Sequence, residues 1–215
     1  RIIADIGLAP KNAEGKVEFK ADVVVLRPRD YAKGNGTVLL EVLNRGNAGI
    51  LGNFNFGRGT VEPGDKFLME QGFTLIWVGW QADVPNEPAR LRLHAPAAKG
   101  VKGLVRAEYI GDAPATSFQL GDRGHIPYPV TGDETALALT VRDRPDGQRT
   151  TIPRSEWRIV DRTKVEMAKG FAPGKLYEVV YESSDPWIVG LGPAAIRDVV
   201  SFFKYGGASI LFNDQ

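Results

Sequence analysis

The chain has 215 residues, of which 43% are apolar and 25% charged, a composition typical of a folded globular protein. It carries 27 Lys and Arg against 26 Asp and Glu, so its formal net charge is +1 and gives no basis for expecting a nucleic-acid partner. Cysteine is absent, which excludes disulfides, thiolate catalysis and cysteine-bound metals. Only His94 and His125 remain for a histidine-based metal site or a general base.

The two ends suggest a piece of a longer protein. Residue 1 is Arg rather than Met, and the apolar residues 210–212 end three residues before the last residue, Gln215. No apolar run is long enough to span a bilayer, and no signal-peptide pattern is present. A signal peptide that had been removed would leave no trace, so the cellular compartment stays open.

The first part of the chain carries three predicted strands. Residues 17–26 alternate apolar and polar side chains before becoming a run of Val, which favours a strand. Residues 37–43 and 73–80 are almost entirely apolar, which is typical of strands buried on both faces of a parallel sheet.

Two helices and a loop are predicted around these strands. Residues 49–64 are rich in Gly, Asn and Phe and are expected to form a long surface loop. Residues 66–71 are expected to form a short helix that ends at Gly72. Residues 193–206 form the clearest helix pattern, with Pro193 in the first turn and apolar residues at helical spacing.

The middle of the chain has a different pattern. Residues 90–175 alternate apolar and polar side chains in short runs separated by turn residues, which predicts an antiparallel sheet with one wet face. Buried strands before this segment, and a strand and a helix after it, predict an α/β fold with a β-rich, sandwich-like insertion. The expected domain bounds are 1–89, 90–175 and 176–215.

Three segments resemble the N-terminal half of a bacterial α/β-hydrolase-domain family: residues 40–47 (LEVLNRGN), 77–83 (WVGWQAD) and 190–198 (GLGPAAIRD). The resemblance implies that residues 1–89 form the first strands of a partial α/β-hydrolase sheet and that residues 176–215 add a return strand and a helix. It also implies hydrolysis of carboxylic esters through an acyl-enzyme, with no metal or organic cofactor.

The nucleophile of such an enzyme is missing from this sequence. α/β-Hydrolases carry their serine in a G-x-S-x-G turn between a strand and a helix. No such motif occurs here, and Ser209 lacks the closing glycine and follows a helix instead of preceding one. The resemblance therefore implies that the serine, its acid and its histidine lie outside this chain, which alone lacks the nucleophile elbow.

The resemblance also implies that this chain supplies part of an oxyanion hole. Each backbone N–H that binds the developing negative charge contributes about 3–4 kcal/mol to catalysis. In this superfamily one such group comes from the loop after the third strand, and the loop directly after the buried strand 37–43 is expected to have that position. The candidate catalytic residues there are Asn44, Arg45 and Gly46. An ordinary turn with Arg45 in solvent remains the alternative.

Candidate substrate-binding residues are Asn47, Trp80, Gln81, Asp185 and Trp187. Trp80 and Gln81 end the second buried strand, at the position where open α/β sheets bind ligands. Asp185 and Trp187 follow another strand and can line the same crevice. Burial of Trp80 in the core, and a turn role for Asp185 before Pro186, stay open as alternatives.

The remaining polar residues fit structural roles. His94 alternates with apolar neighbours and is expected to be a partly buried strand residue instead of a base. Asp122 and His125 can pair, but one such pair is weak evidence for a metal site, and no metal is predicted. Arginines between residues 142 and 162 are interleaved with acidic residues, which indicates a solvated face of mixed charge.

The expected partners are a small-molecule ester and the rest of the parent hydrolase, without nucleic acid or a membrane span. A second interpretation is a non-catalytic β-sandwich module that binds carbohydrate or protein through Tyr109, Phe118 and Tyr128. The apolar strands at 37–43 and 73–80 oppose it, because a free-standing sandwich alternates throughout. A third interpretation is a hydrolase that has lost activity and is kept for binding.

Overall fold

The computed structural model describes residues 3–121 and 124–206. The chain divides into two compact units: unit 1 is Arg1–Pro96 with Trp187–Gln215, and unit 2 is Ala97–Pro186. Strands make up 33% of the structure and helices 19%, and the strands lie in several small sheets. The predicted fold class, an α/β fold built on a partial α/β-hydrolase sheet, is therefore wrong. The two predicted parallel strands do pair, but every other strand pairs antiparallel within the described ranges.

Unit 1 combines short strands with short helices. Its strands are β1 (Lys20–Ala21), β2 (Val23–Leu26), β3 (Val38–Val42), β4 (Thr74–Val78) and β5 (Leu93–His94). Its α-helices are α1 (Ile50–Asn55), α2 (Phe67–Glu70) and α3 (Leu191–Ser201), the last continuing as a π-helical segment over Phe202–Gly206. Single 3-10 turns lie at Ile6–Leu8 and Tyr31–Lys33.

The main sheet of unit 1 has the order β2-β4-β3. Strand β3 runs parallel to β4, with Val38 opposite Thr74 and Val42 opposite Val78. All five residues of β4 are buried, as its apolar run predicts. The expected burial of β3 on both faces is wrong at its two ends, since Val38 is 43% and Val42 is 47% exposed. Among the described strands β3 pairs with β4 alone and is thus an edge strand.

The core of unit 1 lies where the sheet meets α1 and α2. Its buried members are Leu43, Ile50, Leu51, Leu68, Leu75 and Trp77. Helix α1 falls inside the segment expected to be a loop. The Glu41 side chain, from β3, accepts hydrogen bonds from the amides of Gly49 and Ile50 at 2.9 Å each and so satisfies free N–H groups at the start of this helix.

Helix α3 confirms the clearest helical pattern of the sequence, although it begins two residues before Pro193. Gly192 allows the helix to approach the end of β4, because a Cβ atom at this position would lie 2.3 Å from the Trp80 carbonyl oxygen. Within the described ranges no helix combines the length and the apolar character that a bilayer crossing requires.

Unit 2 is made of two antiparallel sheets, as the alternating pattern predicts. Its strands are β6 (Lys102–Ile110), β7 (Ala115–Gln119), β8 (Ala138–Arg142), β9 (Thr150–Ile152), β10 (Trp157–Val160), β11 (Lys164–Phe171) and β12 (Leu176–Ser184). One sheet has the order β6-β12-β8-β9 and the other β10-β11-β7. Side chains from both sheets, including Val165 of β11 and Val179 of β12, form one buried core.

Aromatic rings fill part of this core. Phe118 is buried, and its ring stacks on Tyr109 with centroids 4.8 Å apart. Phe171 meets Phe118 and Tyr177 edge to face, at 4.9 Å in each pair. Tyr109 and Phe118 thus pack inward and do not form the surface platform that the binding-module interpretation needs.

An ion-pair network joins three strands of the four-stranded sheet. Glu178 of β12 accepts hydrogen bonds from Arg149 at 3.1 Å and from Arg142 of β8 at 3.3 Å. Arg142 also donates to Glu108 of β6 at 3.1 Å. The Glu178 and Arg142 side chains are 7% and 5% exposed. The hydrogen bonds from Arg149 hold the pKa of Glu178 below its ordinary value of 4.5, and the charges of Arg106 and Arg142 act in the same direction.

Glu178→Gln is expected to lower the free energy of unfolding by about 3 kcal/mol at pH 7, because it leaves the buried Arg142 charge poorly compensated. The matched control is Glu166→Gln, which removes more exposed ion pairs with Lys164 and Arg158 and is expected to change stability by less than about 1 kcal/mol. Urea unfolding of the three proteins measures both differences.

The loss of unfolding free energy in Glu178→Gln should depend on pH in a defined direction. The pKa of Glu178 is lowered on folding, so its stabilising contribution is complete above 4.5 and is lost as the pH falls through the folded-state value. The gap between wild type and variant should therefore shrink below pH 4.5. A gap that is constant with pH, or equal for Glu166→Gln, would contradict this account of the network.

Candidate functional site

The loop after β3 is a tight turn at one end of the parallel strand pair. Asn47 donates its amide to the Asn44 carbonyl at 3.1 Å. Arg45 has φ 53° and Gly46 has φ 75°, a left-handed pair typical of a type I′ turn. The Asn47 side-chain nitrogen lies 3.3 Å from the Asn44 oxygen and 3.4 Å from the Arg45 oxygen, so this side chain helps to hold the turn.

Residues after β4 hold this turn in place. The Gln81 side-chain oxygen accepts a hydrogen bond from the Arg45 amide at 2.7 Å. The Trp80 indole N–H donates to the Leu43 carbonyl. The carboxyl ends of β3 and β4 lie side by side because the strands are parallel and in register. The structure thus brings together the predicted residues 44–47, Trp80 and Gln81, whereas Trp77 is fully buried core.

Gly46 is the most constrained residue of the turn. Its carbonyl accepts a hydrogen bond from the Leu91 amide at 3.1 Å. A Cβ atom on Gly46 would lie 2.7 Å from Val84 Cγ1 and 2.8 Å from the Leu91 oxygen. The backbone at Gly46 is therefore packed at a distance that only glycine permits, and the Leu91 hydrogen bond holds the peptide group between Gly46 and Asn47.

The amides of the turn differ in their availability. The Arg45 N–H is engaged by Gln81, and the Asn47 N–H is engaged by Asn44. The Gly46 N–H has no acceptor among residues 3–121 and 124–206. Of the amides of Arg45, Gly46 and Asn47, that of Gly46 is thus the one that no hydrogen bond of the turn uses, and Gly46 itself is buried.

Asp185 belongs to unit 2 and has a turn role there. Its carboxylate accepts hydrogen bonds from Lys99 Nζ at 3.0 Å and from the Gly100 amide at 2.8 Å. The Lys99 hydrogen bond, followed by that of Gly100, holds the pKa of Asp185 below its ordinary value. This geometry matches the turn alternative, in which the carboxylate serves its own loop.

Trp187 belongs to unit 1 and lines a cleft of about 650 Å³ there. Phe19, Lys20, Arg92 and His94 line the same cleft, together with Ala82, which follows Gln81 in sequence. His94 lies on strand β5, as its alternating pattern predicts, and its side chain is 48% exposed.

The His94 ring has a partner that the sequence pattern did not reveal. Its Nε2 atom lies 3.1 Å from Asp22 Oδ1. Both residues lie in segments where apolar and polar side chains alternate. The pairing of Lys20 with His94 in strands β1 and β5 brings those segments together. This pairing spans more than seventy residues of sequence and has no local signal.

Two further sequence hypotheses lie outside the described residues. The Asp122–His125 pair cannot be placed because Asp122 is not described, and Ser209 lies beyond residue 206. Within the described part of the chain, no three His, Asp or Glu side chains are grouped so that they could hold a metal ion.

Comparisons with known proteins give no relative: no family model, no curated protein and no solved structure matches the chain.

Gly46→Ala is expected to lower the free energy of unfolding by about 2 kcal/mol more than Gly36→Ala does, because the added methyl overpacks Gly46 against Val84 and Leu91. Gly36 is the matched control, since it also has φ 75° but has no atom within 4 Å of the place that an added methyl group would occupy. Urea unfolding measures both changes. Equal losses in the two variants would show that the close packing around Gly46 does not exist in solution.

Proposed function

We propose that this chain supplies part of the oxyanion hole and of the substrate pocket of a serine hydrolase that acts on carboxylic esters, as the N-terminal portion of that enzyme. One observation carries the proposal: the loops after the parallel strands β3 and β4 meet, and Gln81 fixes the Arg45 amide at 2.7 Å. The proposal concerns this loop pair and does not rest on a helix-rich fold.

The chemistry requires a rigid donor. In the proposed reaction a serine outside this chain attacks the ester carbonyl, with an acid and a histidine that also lie outside it. Negative charge then collects on the carbonyl oxygen, and a fixed backbone N–H stabilises it without reorganising. We assign this role to the Gly46 amide, since the Arg45 amide already donates to Gln81.

The neighbouring residues would position the donor and border the ester. Gln81 acts as a positioning residue, because it holds the peptide that precedes the Gly46 amide. Trp80 joins the ends of β3 and β4, and Asn47 is exposed beside the turn. The proposal assigns no substrate contact to Asp185, whose carboxylate is bound by Lys99 and Gly100.

Residues 43–49 connect β3 to α1. The left-handed conformation of Arg45 adds a strained backbone at the same place, a feature that is enriched at functional sites.

The test uses the complete natural protein that contains this chain, assayed with p-nitrophenyl acetate and p-nitrophenyl butyrate. Gln81→Leu keeps the side-chain volume but removes the acceptor for the Arg45 amide. It is expected to lower kcat by about 100-fold with little change in KM, since it disturbs a donor that acts in the transition state. Gln71→Leu, at an exposed position at the end of α2, is the matched control and should keep full activity.

The outcomes separate the interpretations. A burst of p-nitrophenol, with the loss of kcat in Gln81→Leu alone, supports the acyl-enzyme proposal. A natural protein without a serine nucleophile, or one that does not turn over either ester, contradicts it and favours a binding module. Equal kcat in wild type and Gln81→Leu contradicts the oxyanion assignment even if the protein is an esterase.

A further inference from the structure

The cleft of unit 1 carries a second, separate feature: Arg92, which has no carboxylate partner among residues 3–121 and 124–206. Arg92 lines the cleft, and its Nε atom is buried without a hydrogen-bond partner in the described ranges. Its one side-chain hydrogen bond there is a long contact of 3.4 Å from Nη2 to the Ala82 carbonyl. Because Nε is itself shielded from solvent, a ligand in the cleft can reach only the terminal nitrogens, of which Nη1 makes no hydrogen bond in the described ranges.

The carboxylates of Asp22 and Glu18 form no ion pair with the guanidinium. Asp22 Oδ2 accepts from the backbone amide of Arg92 at 2.9 Å, and Asp22 Oδ1 lies 3.1 Å from His94 Nε2. The acid of the cleft lining, Glu18, accepts a hydrogen bond from Asn12 at 2.8 Å. Both carboxylates are thus engaged by other groups, and no ion pair joins Arg92 to an acid among the described residues.

The backbone of Arg92 is firmly held. The Asp22 amide donates to the Arg92 carbonyl at 3.0 Å, so the two residues bond in both directions. A Cβ atom on Gly79 would lie 2.3 Å from the Arg92 nitrogen, which shows how closely the two segments pack. The guanidinium therefore extends from a backbone that is held in place. This rigidity lowers the entropic loss on binding a ligand.

The residues that line the cleft define the chemistry of such a ligand. Phe19, Leu93, Pro96 and Trp187 give it an apolar side, whereas Lys20 adds a second cation to that of Arg92. With Glu18 as the acid of the lining, the formal charge of the lining is positive when His94 is neutral. The volume of about 650 Å³ is in the range of small-molecule sites.

We propose that this cleft binds a small organic carboxylate, with the Arg92 guanidinium pairing with the carboxylate group and Phe19 and Trp187 contacting its apolar body. The planar guanidinium presents donors that match both oxygens of a carboxylate, so one side chain can fix the anion in orientation. The site is independent of the ester-hydrolase proposal, because binding needs neither the nucleophile nor turnover.

The binding test uses phenylacetate as the probe, with isothermal titration calorimetry for affinity and the Trp187 indole NMR signal for location. Phenylacetamide has the same aromatic ring but no charge. Inorganic phosphate is charged but has no apolar group. Phenylacetate is expected to bind at least about tenfold more tightly than either, because only phenylacetate has both a charged partner for the guanidinium and an apolar group for the aromatic wall. Equal affinity for phenylacetamide or phosphate, or no shift of the Trp187 signal, would overturn the proposal.

Variants of Arg92 complete the test. Arg92→Met keeps the aliphatic stem but removes the guanidinium and should weaken phenylacetate binding at least about tenfold, while Arg92→Lys should fall between it and wild type. Arg90→Met is the matched control, because Arg90 is paired with Glu87 at 2.9 Å and does not line the cleft. Unchanged affinity in Arg92→Met, or an equal loss in Arg90→Met, would contradict the assignment.

The stability of Arg92→Met distinguishes a ligand anchor from a structural residue. A guanidinium without a carboxylate partner stabilises the empty protein little, so the variant should keep or raise the thermal midpoint of the ligand-free protein. The midpoint shift that phenylacetate produces in wild type should be absent in the variant. A large fall in the ligand-free midpoint would show that Arg92 serves the fold and would overturn the proposal.

Discussion

The parallel pairing of β3 with β4 is the constraint on which the candidate site depends. Parallel strands place their carboxyl ends at the same edge of a sheet, and the register of Val38 with Thr74 brings the two following loops level with each other. Only then can Gln81 reach the Arg45 amide and the Trp80 indole reach the Leu43 carbonyl. The buried β4 strand anchors this arrangement. The close packing of Gly46 against Val84 and Leu91 holds the turn that follows β3.

Unit 2 is organised by different forces. Its two antiparallel sheets enclose an aromatic and aliphatic core, and the network of Glu178 with Arg142 and Arg149 joins strands on the polar side of one sheet. Removing one member of this network leaves a buried charge behind, so a single substitution there is expected to destabilise the unit. The strands and the core of unit 2 thus agree with the alternating sequence pattern. The charged residues of the network, by contrast, are more buried than the mixed charge of this segment suggests.

Much of the local structure could be predicted from particular residues. The apolar run of β4, the alternation of unit 2, the helix at Leu191–Ser201 and the turn after β3 all have local signals. The fold class was wrong because apolar runs indicate burial but not the number of neighbouring strands, so β3 looked like a central strand although it lies at an edge. Helix α1 was missed because its N-terminus is bound by Glu41, eight residues earlier in the chain, in a Gly-rich segment that favours a loop.

The site could be predicted only in part for the same reason. Residues 44–47, Trp80 and Gln81 could be grouped because strand ends meet in a parallel sheet. The bond between Gln81 and the Arg45 amide, and the cleft formed by Lys20, Arg92 and His94, depend on long-range pairing that no local pattern encodes. Asp185 was grouped with the site from its place after a strand, whereas its carboxylate binds Lys99 and Gly100 of its own unit.

Hydrogen exchange of the Arg45 amide, followed by NMR, tests the central claim most directly. If Gln81 accepts this amide, Arg45 exchanges slowly in wild type and at least about tenfold faster in Gln81→Leu, because an amide exchanges only when its hydrogen bond opens. The buried amides of β4 should keep their protection in both proteins. Exchange of Arg45 at the rate of an unstructured peptide in wild type, or equal protection in the two proteins, would contradict the account.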